Sequence, residues 1–136
     1  MNWLRHTYDF TVKETHLDSF GHMNNATYLV LFEEARWEFI TARGYGYQRV
    51  QELQIGPTIL ELSLQFKREL KLRQKIRIES QVTSYDGKVG ILLQEMKNEA
   101  GELCTSMTMK MALFDMKARR LIPPTPEWLK AVGLEP

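Results

Sequence analysis

The chain has 136 residues, 43% of them apolar, which suits one domain over residues 1–136 with a single core. Eighteen Lys and Arg against seventeen Asp and Glu give a formal charge of +1, so global electrostatics point neither to nucleic acid nor to an anionic membrane, and any anion site must be local. The N-terminus lacks the apolar centre of a signal peptide, no run is long enough to span a bilayer, and the only cysteine, Cys104, cannot form an internal disulfide, so a soluble protein of the reducing cytoplasm is expected.

In chain order, Tyr8, Phe10 and Val12 alternate with Asp9, Thr11 and Lys13, which predicts a half-buried strand over residues 8–12. A polar stretch, Asp18-Ser19-Phe20-Gly21-His22-Met23-Asn24-Asn25, leads into an apolar run that predicts a helix from about Asn25 to about Arg43, stopped by Gly44 and Gly46. At about 1.5 Å per residue that helix is roughly 28 Å long and crosses a small domain. Its first turns, Tyr28 to Phe32, have no polar face and are expected to be buried on most sides. Tyr47 to Leu53 forms a short helix or turn, and Gly56-Pro57 is expected to break the chain before a second strand built on Leu60, Leu62, Leu64 and Phe66. Ile76, Ile78 and Val82 mark a third strand ending at the hairpin signal Asp86-Gly87. A fourth, Lys88 to Lys97, mixes apolar residues on both faces. A fifth carries Leu103, Met107, Met109, Met111 and Leu113 on one face. Ile122-Pro123-Pro124-Thr125-Pro126 ends the sheet, with a short closing helix through Trp128 to Val132. A strand, a long helix and four strands on short turns make an α+β domain, an antiparallel five-stranded sheet wrapped around one central helix.

The polar stretch ahead of the long helix concentrates the chemistry. Asn24 is a good N-cap, other first-turn N–H groups stay free, and the macrodipole makes that end attract negative charge. Asp18, seven residues before Asn25, could attack a carbonyl or activate water to do so while those amides hold the carbonyl oxygen. From these residue types alone a capped turn with a structural Asp18 is an equal alternative.

The run from Asp18 to Asn25, followed by Tyr28 and by Phe32-Glu33-Glu34-Ala35-Arg36, resembles the hotdog-fold acyl-CoA thioesterases, in the branch of 4-hydroxybenzoyl-CoA thioesterase. The resemblance implies that Asp18 is the catalytic carboxylate and that the backbone amide at Asn25 is the oxyanion contact. His22 then plays a supporting catalytic part, and Gly21, Asn24 and Tyr28 belong to the substrate-binding surface. It implies hydrolysis of an acyl-CoA or acyl-carrier-protein thioester to acid and thiol, with no separate cofactor, because coenzyme A is part of substrate and product. It also implies a homodimer or homotetramer in which sheets join edge to edge and the loop of one chain faces the helix start of the other. A dehydratase acting on 3-hydroxyacyl thioesters, led by His22, and a non-catalytic acyl-thioester-binding module are the competing assignments. The chain departs from some relatives at His16, where a second aspartate can stand, and at Glu69 to Gln74, where Pro-x-x-x-Gly-Asp is frequent.

Three further signals are local. The basic run Lys67, Arg68, Lys71, Arg73, Lys75 and Arg77 reads as a solvated face, with Arg68 and Arg73 the candidates for the phosphates of coenzyme A; alternation places Arg73, Lys75 and Arg77 on one strand face. Glu33 and Glu34 are expected to pair with Arg36 or with basic groups across an interface. Met107, Met109 and Met111 are core filler, with a methionine-lined acyl pocket the second option. Neither His16 nor His22 has a second ligand at metal spacing.

Overall fold

In the computed structural model, which describes residues 2–136, one long helix lies across a strongly curved antiparallel sheet. Strands β1 (Asn2–Trp3) and β2 (His6–Thr11) lead to helix α1 (Asn25–Ala42) and the short α2 (Tyr47–Leu53). The rest follow as β3 (Ile55–Phe66), β4 (Lys75–Asp86), β5 (Val89–Asn98), β6 (Leu103–Asp115), β7 (Arg120–Ile122), α3 (Pro126–Ala131) and β8 (Leu134–Glu135). The five principal strands run in the order β2-β4-β5-β6-β3, all antiparallel, as the alternating segments predicted.

The ends of α1 follow from its sequence. Asn24 is extended at φ −65°, ψ 143°, and its Oδ1 accepts the Ala26 N–H at 2.7 Å. At the other end Gly44 takes φ +86°; its N–H donates to Thr41 O at 3.1 Å and the Tyr45 N–H to Ile40 O at 2.8 Å, the paired bonds of a Schellman stop. The helix buries one stripe, Tyr28, Leu31, Phe32, Ala35, Phe39 and Ile40, against Ile76, Ile78 and Val82 of β4, Leu92 and Met96 of β5, and Met107, Met109 and Met111 of β6. The expectation that its first turns are buried on most sides is corrected: Val30 stands 55% exposed, because one curved sheet covers one side of a helix only.

Two further corrections and two additions concern the sheet. Gly56-Pro57 does not break the chain; β3 runs through it, Pro57 pairing with Leu113 on β6, because β3 is an edge strand and the missing N–H costs no ladder bond on its open side. Residues 120–122 form a further short strand, β7, on Leu113 to Asp115, and the sheet ends at Ile122, before the prolines, as expected. A two-stranded ribbon, β1 with β8, ties the chain ends together. On β5, burial alternates cleanly, with Gly90, Leu92, Gln94 and Met96 all inward, so the apparent mixture of faces hid one polar residue in a core row. Cys104 is fully buried. Among the described residues, no helix is long and apolar enough to cross a membrane.

Candidate active site

The loop before α1 is folded around Asp18. The Asp18 N–H donates to His22 O at 2.8 Å, the Gly21 N–H donates to Asp18 O at 3.0 Å, and Leu17 bridges to Met23. Gly21 sits at φ +80° with open space where a Cβ would stand, so the turn needs glycine for its backbone angle rather than for a close approach. The Asp18 Oδ1 accepts the Phe20 N–H at 2.9 Å and the His22 N–H at 3.1 Å. Both bonds land on one oxygen and leave Oδ2 for water or substrate. The carboxyl is solvent-exposed, and these amides, that of His22 foremost, hold it below the ordinary aspartate value.

At the helix start, Asn24 takes up the Ala26 N–H through its side chain and the Thr27 and Tyr28 N–H groups through its carbonyl, at 2.9 and 3.4 Å. The Asn25 N–H is therefore the first-turn donor left for an oxyanion. Tyr28 is buried, its ring edge-to-face with Phe66 at 5.0 Å. His22 reaches Asp18 through its backbone; its imidazole Nε2 lies 3.4 Å from Glu69 Oε1, an exposed pair that clips the loop to the turn after β3. Phe20, 85% exposed, projects from the loop tip.

The basic run is not one strand face. Arg73 lies in the turn before β4 at φ +64°, and only Lys75 and Arg77 are on the strand, which corrects the alternation read from the sequence. The turn arises because the Arg73 N–H donates to Val12 O at 2.7 Å, bending the chain onto the end of β2. Arg73 meets Glu14 at 2.6 Å, Arg68 meets Glu102 at 2.9 Å and Arg77 meets Asp9 at 2.9 Å, all exposed pairs that a phosphate can compete for.

One feature went unread in the sequence, and another, a pocket with methionines in its wall, was there only the second option to core filler. Gln94, fully buried, donates through Nε2 to Phe32 O and to Ser80 Oγ, both at 3.0 Å, and accepts from Arg36 Nη1 at 3.0 Å. That clamp fixes α1 on the sheet, and burial lowers the guanidinium's pKa against the opposing charge of Glu33. Its signal was a glutamine in register with Leu92 and Met96. Glu34 takes the Tyr8 hydroxyl at 3.2 Å instead of pairing with Arg36. The second feature is a cavity of about 300 Å³ under the C-terminal half of α1, walled by Trp37 and Ile40, Met109 and Met111, Ile59 and Trp128.

Compared with known proteins, residues 12–132 match the model of the thioesterase-like superfamily. The chain belongs to that superfamily. It is 29% identical over 112 residues to the long-chain acyl-CoA thioesterase FadM of Escherichia coli K12, covering 82% of this chain and 84% of that protein. Its fold matches the probable thioesterase YbaW of Escherichia coli with TM-score 0.82 at 26% identity, over 93% of this chain and 95% of that one. The hypothetical protein SAV2348 of Staphylococcus aureus, solved in complex with CoA, matches with TM-score 0.87 at 21% identity, over 97% and 84% of the two chains. The hotdog architecture and the enzyme class read from the sequence, a thioester hydrolase, stand on these matches and on the element order above.

Proposed function

We propose that this protein hydrolyses acyl-CoA thioesters through the loop that holds Asp18 beside the start of α1. The observation that carries this reading is the pairing of an ionised carboxylate, one oxygen fixed and one free, with an unoccupied helix-start amide on the same short loop. Asp18 as general base takes a proton from water, the hydroxide adds to the thioester carbonyl, and the oxygen that becomes negative is received by the Asn25 N–H. Collapse of the tetrahedral species breaks the C–S bond, and the thiolate leaves with a proton, giving acid and free thiol. As nucleophile, Asp18 Oδ2 would instead form a mixed anhydride that water then opens. His22 supports either route by its backbone bond to Asp18 and by its link to Glu69.

The substrate is an acyl group on coenzyme A or on a carrier protein, with Gly21, Asn24 and Tyr28 framing the thioester and Arg68 and Arg73 exchanging their carboxylates for phosphates. The working unit is a homodimer or a homotetramer. β3 ends the strand order, and its open edge exposes Ile59 at 45% and Phe66 at 52%, a pairing surface that unpartnered sheets avoid. A second chain would also dry the site, where a fixed amide is worth more. A cytoplasmic location goes with the reading and is supported by the single buried Cys104. The test is Asp18→Asn: because the loop amides can still find the side-chain oxygen, the variant should fold while kcat falls about 10²-fold or more on an acyl-CoA. Normal turnover in the folded variant would remove Asp18 from the chemistry. Asn25→Ala, which keeps the amide, should stay active where Asn25→Pro does not.

A further inference from the structure

The 300 Å³ cavity lies away from the Asp18 loop of its own chain. Tyr28, one turn into α1, packs on Phe66 at the end of β3, whereas Trp37 and Ile40 share the cavity with Pro57 and Ile59 at the start of β3. Helix and edge strand therefore run in opposite directions. At about 1.5 Å per residue, the twelve residues from Asn25 to Trp37 separate helix start and cavity by roughly 18 Å. If two copies pair through β3, antiparallel pairing of identical strands sets the Phe66 end of each beside the Pro57 end of the other. The cavity of one chain then opens next to the partner's loop, where the thioester is proposed to react.

Glu33 and Arg36 of α1 also line this space, and its remaining walls fit an alkyl chain. Met109, Met111 and Leu92, each nearly inaccessible, form its sheet side, and methionine adapts to a flexible apolar occupant. The wall made by Trp128 is built rather than incidental. Trp128 of α3, 1% exposed, donates its indole N–H to the Tyr85 hydroxyl at 3.2 Å and meets the Tyr45 ring edge-on at 5.2 Å. Tyr45 is itself held, its hydroxyl donating to Ile55 O at 3.0 Å. Thr125 caps α3 by accepting the Trp128 N–H at 3.2 Å. Gly90 leaves the room that Tyr85 fills, since a Cβ there would stand 2.8 Å from the ring. The indole is thus a fixed wall.

We infer that this cavity is the acyl-chain site and that Trp128 is its length-setting residue. The inference rests on the thioesterase reading above. At about 300 Å³ the space lies at the small end of the range of ligand pockets, so the length of an acyl chain that fills it is limited. Each carbon beyond the wall should lower kcat/KM by about 10-fold or more, the usual discrimination of a closed apolar pocket.

The experiment measures kcat/KM over saturated acyl-CoA esters from short to long, and in parallel the binding of the same esters to the Asp18→Asn protein by calorimetry. Trp128→Phe and Trp128→Ala should move the optimum to longer chains in both measurements. Met109→Phe, which fills the cavity from the opposite wall and leaves α3 alone, should move it to shorter ones. Folded variants that keep the wild-type length profile would overturn the assignment, as would calorimetric affinity indifferent to chain length. If the wild type hydrolyses no thioester, the thioesterase reading fails by itself, and the length dependence of binding still decides whether the cavity is a chain-measuring site.

Discussion

Replacing Gln94 with methionine removes the polar clamp between α1 and the sheet while nearly preserving side-chain length. Three hydrogen bonds vanish: two neutral ones, to Phe32 O and Ser80 Oγ, and one donated by the Arg36 guanidinium, all at 3.0 Å. At about 1 kcal/mol for each neutral bond and about 2 for the charged one, the direct loss is about 4 kcal/mol. The apolar replacement returns roughly 1 kcal/mol of burial, leaving about 3. Much of that is the cost of groups left behind: Ser80 is fully buried, and Arg36 is a largely desolvated cation. Phe32 O keeps its helical bond and suffers least. Urea unfolding at fixed protein concentration, so that subunit association does not move the midpoint, should show a lower midpoint with an unchanged slope. The decisive control is Ser80→Ala, made in both backgrounds. With Gln94 present it removes a bond and should destabilise; with methionine at 94 it removes an orphaned hydroxyl and should restore about 1 kcal/mol. A loss below about 1 kcal/mol for Gln94→Met, or a Ser80→Ala effect of the same sign and size in both backgrounds, would refute the clamp.

The remaining predictions concern the site. Arg68→Ala and Arg73→Ala should each raise KM for coenzyme A esters several-fold, about the worth of one charge-assisted contact, and leave short thioesters lacking the nucleotide unchanged; equal effects on both substrates would make these residues surface partners of Glu102 and Glu14 only. Because its loop amides depress the Asp18 pKa, the reactive carboxylate persists as pH falls past the ordinary 3.8 and is lost only on passing the lowered value. The acid limb of kcat/KM should therefore lie below 3.8, and a limb above it would point to another group. Light scattering during size exclusion should give an active particle at a multiple of the 16.0 kDa chain mass, and full activity at 16.0 kDa would sink the edge-paired dimer.

What sequence alone determined about this protein is what depends on neighbours in the chain. The alternations of β2, β4 and β6, the Asn24 cap, the Gly44 stop and the Asp86-Gly87 hairpin are short-range physics, and each lies in the structure where its residues predicted it. The row expected on the second strand does not turn inward: Leu60 and Phe66 of β3 are 45% and 52% exposed, on an edge strand whose register shifts between Ile59 and Glu61. The loop around Asp18 was legible for the same reason, since its bonds span at most four residues. The fold decided what depends on distant partners. That Pro57 stays in a strand follows from β3 being an edge, a fact of sheet order that no local pattern carries. Arg73 left the strand because Val12, far away in sequence, accepts its N–H. Gln94 carried no signal of its own in a strand read as apolar on both faces; its role came with Phe32, Ser80 and Arg36, the nearest of them 14 residues away. Trp128 likewise became a wall of a cavity only when α3 packed beside α1, because a pocket is made by surfaces that meet in three dimensions.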